Sequence, residues 1–259
     1  MLFFYACWIP LCLSMNSQLN EHWQVNRYQD LDLVSAVGRK DLVRVCRLLK
    51  AGVDPSISGP QYLTPLEMAL VCNMVDCDIL GALLDAGANP SQESSWMFER
   101  TPLFLAITKG HIKAVQLMIR AGADLSIRGS DGDSVLLVAV CSWLLTPELI
   151  RLLIDGGADV NAANDYGVTP LHYISTSARS AVIARMLLDA GADPNARSES
   201  GMTPLSSSLY YQEGEDATVR ALLAAGADFD ACMSCKATTR GVSQPVIVND
   251  NHTSPGSCF

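Results

Sequence analysis

The chain has 259 residues, of which 49% are hydrophobic and 17% charged, and its formal net charge is −9. This composition is typical of a folded protein and excludes a wholly disordered chain. Because an acidic chain repels phosphate backbones, we expect no nucleic-acid partner and favour a protein partner with a basic or apolar patch.

Residues 1–30 are predicted to form an N-terminal extension that is partly disordered. An apolar run at positions 2–13 is too short to span a bilayer, so we expect no membrane association. The run has the length of a signal-peptide core, but it lacks a basic start and a good cleavage site. We therefore favour a cytoplasmic or nuclear protein, with a secreted repeat protein that binds an extracellular partner as the alternative.

The nine cysteines favour the same location. Cys46, Cys72 and Cys141 lie in apolar runs, where a free thiol behaves as a small hydrophobic group. The odd number of cysteines favours a reducing compartment over a disulfide framework. Cys232 and Cys235 form a CxxC motif without a second ligand pair, so we expect no metal site.

Two motifs recur in phase along most of the chain. The first reads AGVDPS at 51, AGANPS at 86, AGADLS at 121, GGADVN at 156, AGADPN at 190 and AGADFD at 225. The second lies between these copies and reads TPLEMAL at 64, TPLFLAI at 101, SVLLVAV at 134, TPLHYIS at 169 and TPLSSSL at 203. A fixed spacing of two motifs indicates a repeat protein.

Each repeat predicts two helices. Thr is a good helix cap and the Pro after it favours the first helical turn, so the second motif begins a first helix. A second helix carries an apolar stripe, which includes Leu117 in the third repeat and Val182 and Leu187 in the fifth. The Gly of the first motif ends this helix in a left-handed conformation. One unit cannot bury its own stripe, so neighbouring units must stack.

These units resemble the ankyrin repeat family. The TPLH pattern is complete at 169–172, the GH pattern at 110–111 and the GADVNA ending at 157–162. The resemblance covers about residues 31–231. It implies an all-α ankyrin-repeat solenoid of stacked helix–turn–helix units with β-hairpin fingers.

The motif positions give the boundaries of six repeats. We place them at 31–60, 61–98, 99–131, 132–166, 167–200 and 201–231, followed by a disordered tail at 232–259. The first repeat is expected to act as an N-terminal cap. No polar capping helix follows the last repeat, so we expect the apolar face of Val219, Leu222 and Leu223 to be partly exposed.

The sequence carries no motif of a known catalytic site, so we expect neither enzyme activity nor a cofactor. The resemblance implies structural roles for His111 and His172. It also makes Asn161 and Asn195 candidates for hydroxylation, because each follows a Leu at the spacing that an intracellular asparagine hydroxylase recognises in such proteins. A turn-forming role already explains both asparagines and is the preferred interpretation.

The resemblance implies that a partner binds at the fingers and at the first helices, which line a concave face. The candidate contact residues are Tyr62, Lys109, Tyr166, Met202, Tyr210 and Tyr211, together with Trp96, Met97 and Phe98 in the longest finger. Large apolar residues in a polar loop are favoured at binding hot spots, although one of these three could instead fill the gap between the second and third repeats. The sequence therefore predicts a non-catalytic protein–protein interaction scaffold or adaptor, whose oligomeric state is unknown.

Overall fold

The computed structural model describes residues 33–56, 63–71, 75–92, 101–129, 131–142, 144–174, 180–210 and 216–229. These residues form twelve helices in six pairs, one pair for each predicted repeat. They contain no sheet, and the only trace of a β-hairpin is one antiparallel bridge between Arg128 and Ser134. The all-α class is thus confirmed. The predicted extension at 1–30 and the tail at 232–259 lie outside the described residues.

Each pair consists of a short first helix and a second helix that is longer in all six repeats. The first helices are α1 (Leu33–Gly38), α3 (Pro65–Val71), α5 (Pro102–Thr108), α7 (Val135–Cys141), α9 (Pro170–Ile174) and α11 (Pro204–Tyr210). The second helices are α2 (Leu42–Lys50), α4 (Cys77–Asp85), α6 (Ile112–Arg120), α8 (Pro147–Asp155), α10 (Ser180–Asp189) and α12 (Asp216–Ala224).

The first helices begin with the caps that the sequence predicts. The hydroxyl of Thr101 accepts a hydrogen bond of 3.4 Å from the N–H three residues on, and Ser134 does the same at 3.2 Å. In the second repeat, the Glu67 carboxylate accepts from the N–H of Thr64 at 2.7 Å while the Thr64 hydroxyl accepts from the N–H of Glu67 at 3.3 Å. This reciprocal pair is a capping box, which satisfies two backbone donors that the helix leaves unpaired.

The described residues divide into two compact units, one within residues 33–89 and the other within residues 90–229. Within the first unit, α1 packs on α3 and α2 packs on α4. Within the second unit, first helices pack on first helices from α5 to α11, and second helices pack on second helices from α6 to α12. Each unit is therefore a stack of helix pairs.

The core of each unit lies between neighbouring pairs. The leucine at the second position of the first helices is at most 2% exposed in five repeats, as Leu66, Leu103, Leu136, Leu171 and Leu205. Complete burial of such a side chain contributes about 1.5–3 kcal/mol.

Two stripe predictions need correction. Leu187 is fully buried as predicted, but Val182 is 60% exposed, so its assignment to the stripe is wrong. The buried stripe of α10 includes Ile183 and Leu187, which are four residues apart and share one face of the helix. Val182 is one residue before Ile183 and therefore points away from that face. In α6, Met118 is fully buried whereas Leu117 is only half-buried.

The last repeat is partly uncovered and its first helix is unusually polar. Leu223 is 43% exposed as expected, whereas Leu222 is fully buried, which corrects the prediction for that residue. Three consecutive serines of α11, Ser206 to Ser208, are buried where the other repeats have mainly apolar residues. Among the described residues, the hydroxyl of Ser208 has no hydrogen-bond partner. A buried hydroxyl without a partner is destabilising.

We expect Ser208→Ala to raise the free energy of unfolding by about 1 kcal/mol, because it removes the unpaired hydroxyl without leaving a cavity. Ser206→Ala is the matched control. The Ser206 hydroxyl accepts from the N–H of Thr203 at 2.7 Å and donates to its carbonyl at 2.9 Å, so this change should destabilise. Urea melts of both variants test the prediction, and a loss of stability in Ser208→Ala would contradict it.

The end of α6 provides a test of the predicted left-handed glycine. Gly122 has φ +83°, and a Cβ built on it would meet no atom within 4 Å. The cost of a Cβ at this position therefore comes from the backbone conformation and not from a clash. We expect Gly122→Val to destabilise by about 1–2 kcal/mol. Gly81→Val, at a helical glycine that is equally open, should be close to neutral; equal melting temperatures for the two variants would contradict the assignment.

Candidate partner-binding surface

Three loops of the second unit connect a second helix to the next first helix. They comprise residues 128–134, of which 130 is not described, residues 162–169 and residues 196–203. We call these loops the finger row. The predicted fingers are thus compact turns in the described residues.

Backbone hydrogen bonds join neighbouring loops of the finger row. The N–H of Asp165 donates to the carbonyl of Asp131 at 3.0 Å, and the N–H of Glu199 donates to the carbonyl of Tyr166 at 2.9 Å. The Arg128 guanidinium adds bonds of 3.2 Å and 3.0 Å to two carbonyls, one in its own loop and one at Ala163 in the next. The loops therefore hold one another in register.

A buried polar pair links the first two loops. The Asn164 amide donates to the Asp133 carboxylate at 3.0 Å, and both side chains are less than 8% exposed. The oxygen of the same amide accepts from the N–H groups of Tyr166 and Val168 at 3.1 Å and 3.0 Å. Asn164 thus closes its own turn and fixes it to the preceding loop, and a buried network of this kind is costly to break.

His172 connects the second loop to the third. Its Nε2 lies 3.0 Å from the carbonyl of Met202, which can only accept, so Nε2 carries the proton. Its Nδ1 then accepts from the N–H of Thr169 at 3.2 Å and from the Thr169 hydroxyl at 2.8 Å. Burial is the main cause that lowers the pKa of His172, which keeps the ring neutral. The predicted structural role of this residue is confirmed.

One exposed aromatic side chain and two exposed carboxylates lie on the finger row. Tyr166 is 45% exposed, and Asp165 and Glu199 are exposed beside it. The Asp165 carboxylate lies directly over Gly132 in the neighbouring loop, where a side chain would leave no room. These carboxylates were not predicted, although an acidic residue stands one or two positions before Gly132, Gly167 and Gly201 in the three loops.

The other predicted contact residues have different surroundings. Met202 is half-buried and accepts the His172 bond through its backbone, and Lys109 is half-buried at the end of α5. Tyr210 is the last residue of α11. The remaining candidates, Tyr62, Trp96, Met97, Phe98 and Tyr211, lie outside the described residues and stay predictions.

The two asparagines proposed for hydroxylation connect successive repeats. Asn161 donates to the carbonyl of Gly191 at 3.0 Å and accepts from the N–H of Asp193 at 2.7 Å. Asn195 makes the equivalent bonds to Gly226 at 3.0 Å and Asp228 at 2.7 Å. These bonds give both residues the structural role that the sequence favoured, and their hydroxylation stays a prediction.

The described residues can also be compared with the predictions for metal sites, membrane-spanning helices and free cysteines. They contain no group of three or more side chains arranged to hold a metal ion. None of the helices described is long and apolar enough to cross a membrane. Cys46 and Cys77 are free thiols, but Cys141 forms a disulfide, so the prediction of a free thiol at that position is wrong.

One family model matches most of the described chain. A family model described as ankyrin repeats matches three times, at residues 33–129, 67–164 and 136–231. The human ankyrin repeat and SOCS box protein 3 is 29% identical over 177 residues, which cover 54% of this chain and 34% of that protein. The matched segments span only 9% to 34% of the first curated relatives.

Two solved structures share the fold. An ankyrin repeat domain from Acinetobacter baumannii AYE superposes with a TM-score of 0.68 and 26% identity, over 76% of this chain and 98% of that domain. The ankyrin repeat domain of Bcl-3, described as a unique member of the IkappaB protein family, gives a TM-score of 0.66 and 28% identity. That match covers 77% of this chain and 88% of the Bcl-3 domain.

The lowered pKa of His172 makes stability depend on pH. The unfolded chain takes up a proton near the ordinary His pKa of 6.5 while the folded chain resists it, so stability is complete above that pH and falls below it. We expect the free energy of unfolding to decrease between about pH 7.5 and pH 5.5, and to decrease less in His172→Gln.

His111 contributes in the same direction, because burial and the charge of Lys109 lower its pKa, so the His172→Gln variant should keep part of the slope. Urea melts across the pH range measure both slopes. Parallel slopes for the two proteins would show that His172 titrates in the folded state as it does in the unfolded chain.

Proposed function

Because this chain belongs to the ankyrin repeat family, we propose that it is a non-catalytic scaffold or adaptor that binds a partner protein through its fingers and concave face. Ankyrin repeats are generally protein–protein interaction modules. The most informative feature of this chain is the exposed Tyr166 on a finger row whose backbone is already fixed. The proposal concerns the second unit, where the finger row is described.

The fixed backbone favours binding at Tyr166. Ordering a mobile loop reduces the affinity of an interface, and here hydrogen bonds to neighbouring loops order Asp165, Tyr166 and Glu199 before any partner arrives. A tyrosine offers a large contact area, has few rotatable bonds and is enriched among residues that dominate binding energy. Tyr166 is therefore the anchor of the proposed interface.

The charges beside this anchor indicate the partner's chemistry. Asp165 and Glu199 are exposed on either side of Tyr166 along the finger row. Acidic groups around an apolar contact select a basic patch on the partner and increase the rate of association. Lys109 and Tyr210 would extend this surface along the first helices, and Met202 would contribute from the third loop of the finger row. Trp96, Met97 and Phe98 of the longest finger stay separate candidates.

The cysteines point to two different locations. Free Cys46 and Cys77 support the proposed cytoplasmic or nuclear location, whereas the Cys141 disulfide favours the secreted alternative. The N-terminal mass of the mature protein from a eukaryotic host separates the two. Loss of the apolar run at 2–13 would indicate secretion, and its retention would indicate the cytoplasm or nucleus.

The test of the function is quantitative affinity capture from cell lysate by the full chain, compared with Tyr166→Ala. We expect the variant to lose a specific partner, with binding about tenfold weaker or more when that partner is purified. The binding of the unaltered chain should also weaken with added salt, because carboxylates contribute to it.

Val182→Ala is the matched control. Val182 is also an exposed apolar side chain of the second unit, but it lies on the second helix α10 and outside the finger row. This variant should keep the partner. Retention of every partner by Tyr166→Ala, with an unchanged melting temperature, would show that the finger row is not the interface.

A further inference from the structure

A second surface with a different character lies in the first unit. Five residues share one open side of α2: Leu42, Val43, Cys46, Arg47 and Lys50. We call this surface the α2 face. Val43 is 69% exposed, Leu42 and Cys46 are half-buried, and the two basic side chains are exposed.

Within the part of the chain that the structure describes, the α2 face is the solvent side of the helix. Val45 and Leu48, on the other side, are buried against the core of the unit. Val43, Arg47 and Lys50 are spaced by four and three residues, so they follow one line along the solvent side. Arg47 and Lys50 have no ion-pair partner among the residues that the structure describes.

The positive charge of this repeat contrasts with the rest of the chain. The described residues 33–56 contain five basic side chains and two acidic ones, in a chain of net charge −9. The basic residues are Arg39, Lys40, Arg44, Arg47 and Lys50, and the acidic ones are Asp41 and Asp54.

Helix stability does not account for this composition. Basic residues at a helix C-terminus interact favourably with the helix dipole. However, α4, α8 and α10 all end in Asp, so a basic end is no requirement of the fold. The dipole also gives no reason for an exposed valine beside the two cations.

The neighbouring helix restricts what could bind. The positions of α4 that correspond to Val43 and Lys50 are Asp78 and Asp85, both exposed, and α4 packs against α2. An acidic ligand is therefore attracted to α2 and repelled by α4, which confines it to the α2 face. A basic ligand would be directed to α4 instead.

We propose that the α2 face is a docking site for an acidic segment of a partner protein that also carries aliphatic or aromatic side chains. The apolar side chains of the segment cover Val43 and the exposed edges of Leu42 and Cys46. Its carboxylates pair with Arg47 and Lys50. This surface has the opposite charge to the finger row, so the two proposed sites select partners of different chemistry.

The test uses the full chain and a synthetic amphipathic peptide with Glu on its polar face and Leu on its apolar face. Fluorescence anisotropy gives the Kd. We expect Arg47→Glu with Lys50→Glu to weaken binding about tenfold or more, and Val43→Ser to weaken it as well. Added salt should raise the Kd of the unaltered chain.

Lys113→Glu with Arg120→Glu on α6 is the matched control, because it makes the same charge change at two exposed basic residues of another second helix. This variant should keep the Kd within about twofold. Equal weakening in both double variants would mean non-specific attraction and would overturn the proposal.

Two further probes complete the design. A peptide with Lys in place of Glu should not bind the α2 face. The proposal would be overturned if the Lys peptide bound as tightly as the Glu peptide, or if the Glu peptide did not bind at all. Vesicles of phosphatidylcholine and phosphatidylserine test a membrane as the ligand. Binding of these vesicles that depends on Arg47 and Lys50, without binding of the Glu peptide, would replace the protein partner with an anionic lipid surface.

Discussion

The structure depends on apolar burial that neighbouring helix pairs share. Leu103, Leu136 and Leu171 reach complete burial because the first helices that carry them pack on one another. No helix pair is large enough to enclose its own leucines, so each pair is stable only beside another. This requirement restricts the residues on the packed sides of the helices and leaves the loops and the solvent sides free to vary. Both proposed binding surfaces lie on those freer parts.

Polar bonds that reach one repeat ahead fix the phase of this packing. His172 binds Met202, Asn161 binds Gly191 and Arg128 binds Ala163, across 30, 30 and 35 residues of sequence. Hydrophobic contacts are not directional and would tolerate a shift between neighbours, whereas these bonds have one geometry. The same bonds arrange the finger row, so the features that define the stack also prepare its proposed interface.

The sequence predicted the helix pairs because their signals are local. Thr101 caps its own helix and Gly122 ends its own helix, and neither needs information from distant residues. The error at Val182 arose because a shift of one residue moves a side chain by about 100° around a helix. The row of Asp131, Asp165 and Glu199 was missed because adjacent loops assemble it in three dimensions, and the longest finger lies outside the described residues.

The bonds between the finger loops have a consequence for engineering. They join main-chain atoms of Asp131, Asp165, Tyr166 and Glu199, and these atoms are present whatever side chain each position carries. Randomising the exposed positions 165, 166 and 199 therefore alters the surface while the scaffold beneath it persists. The second unit thus offers a platform for libraries of binders, in which new specificity is selected without rebuilding the loops.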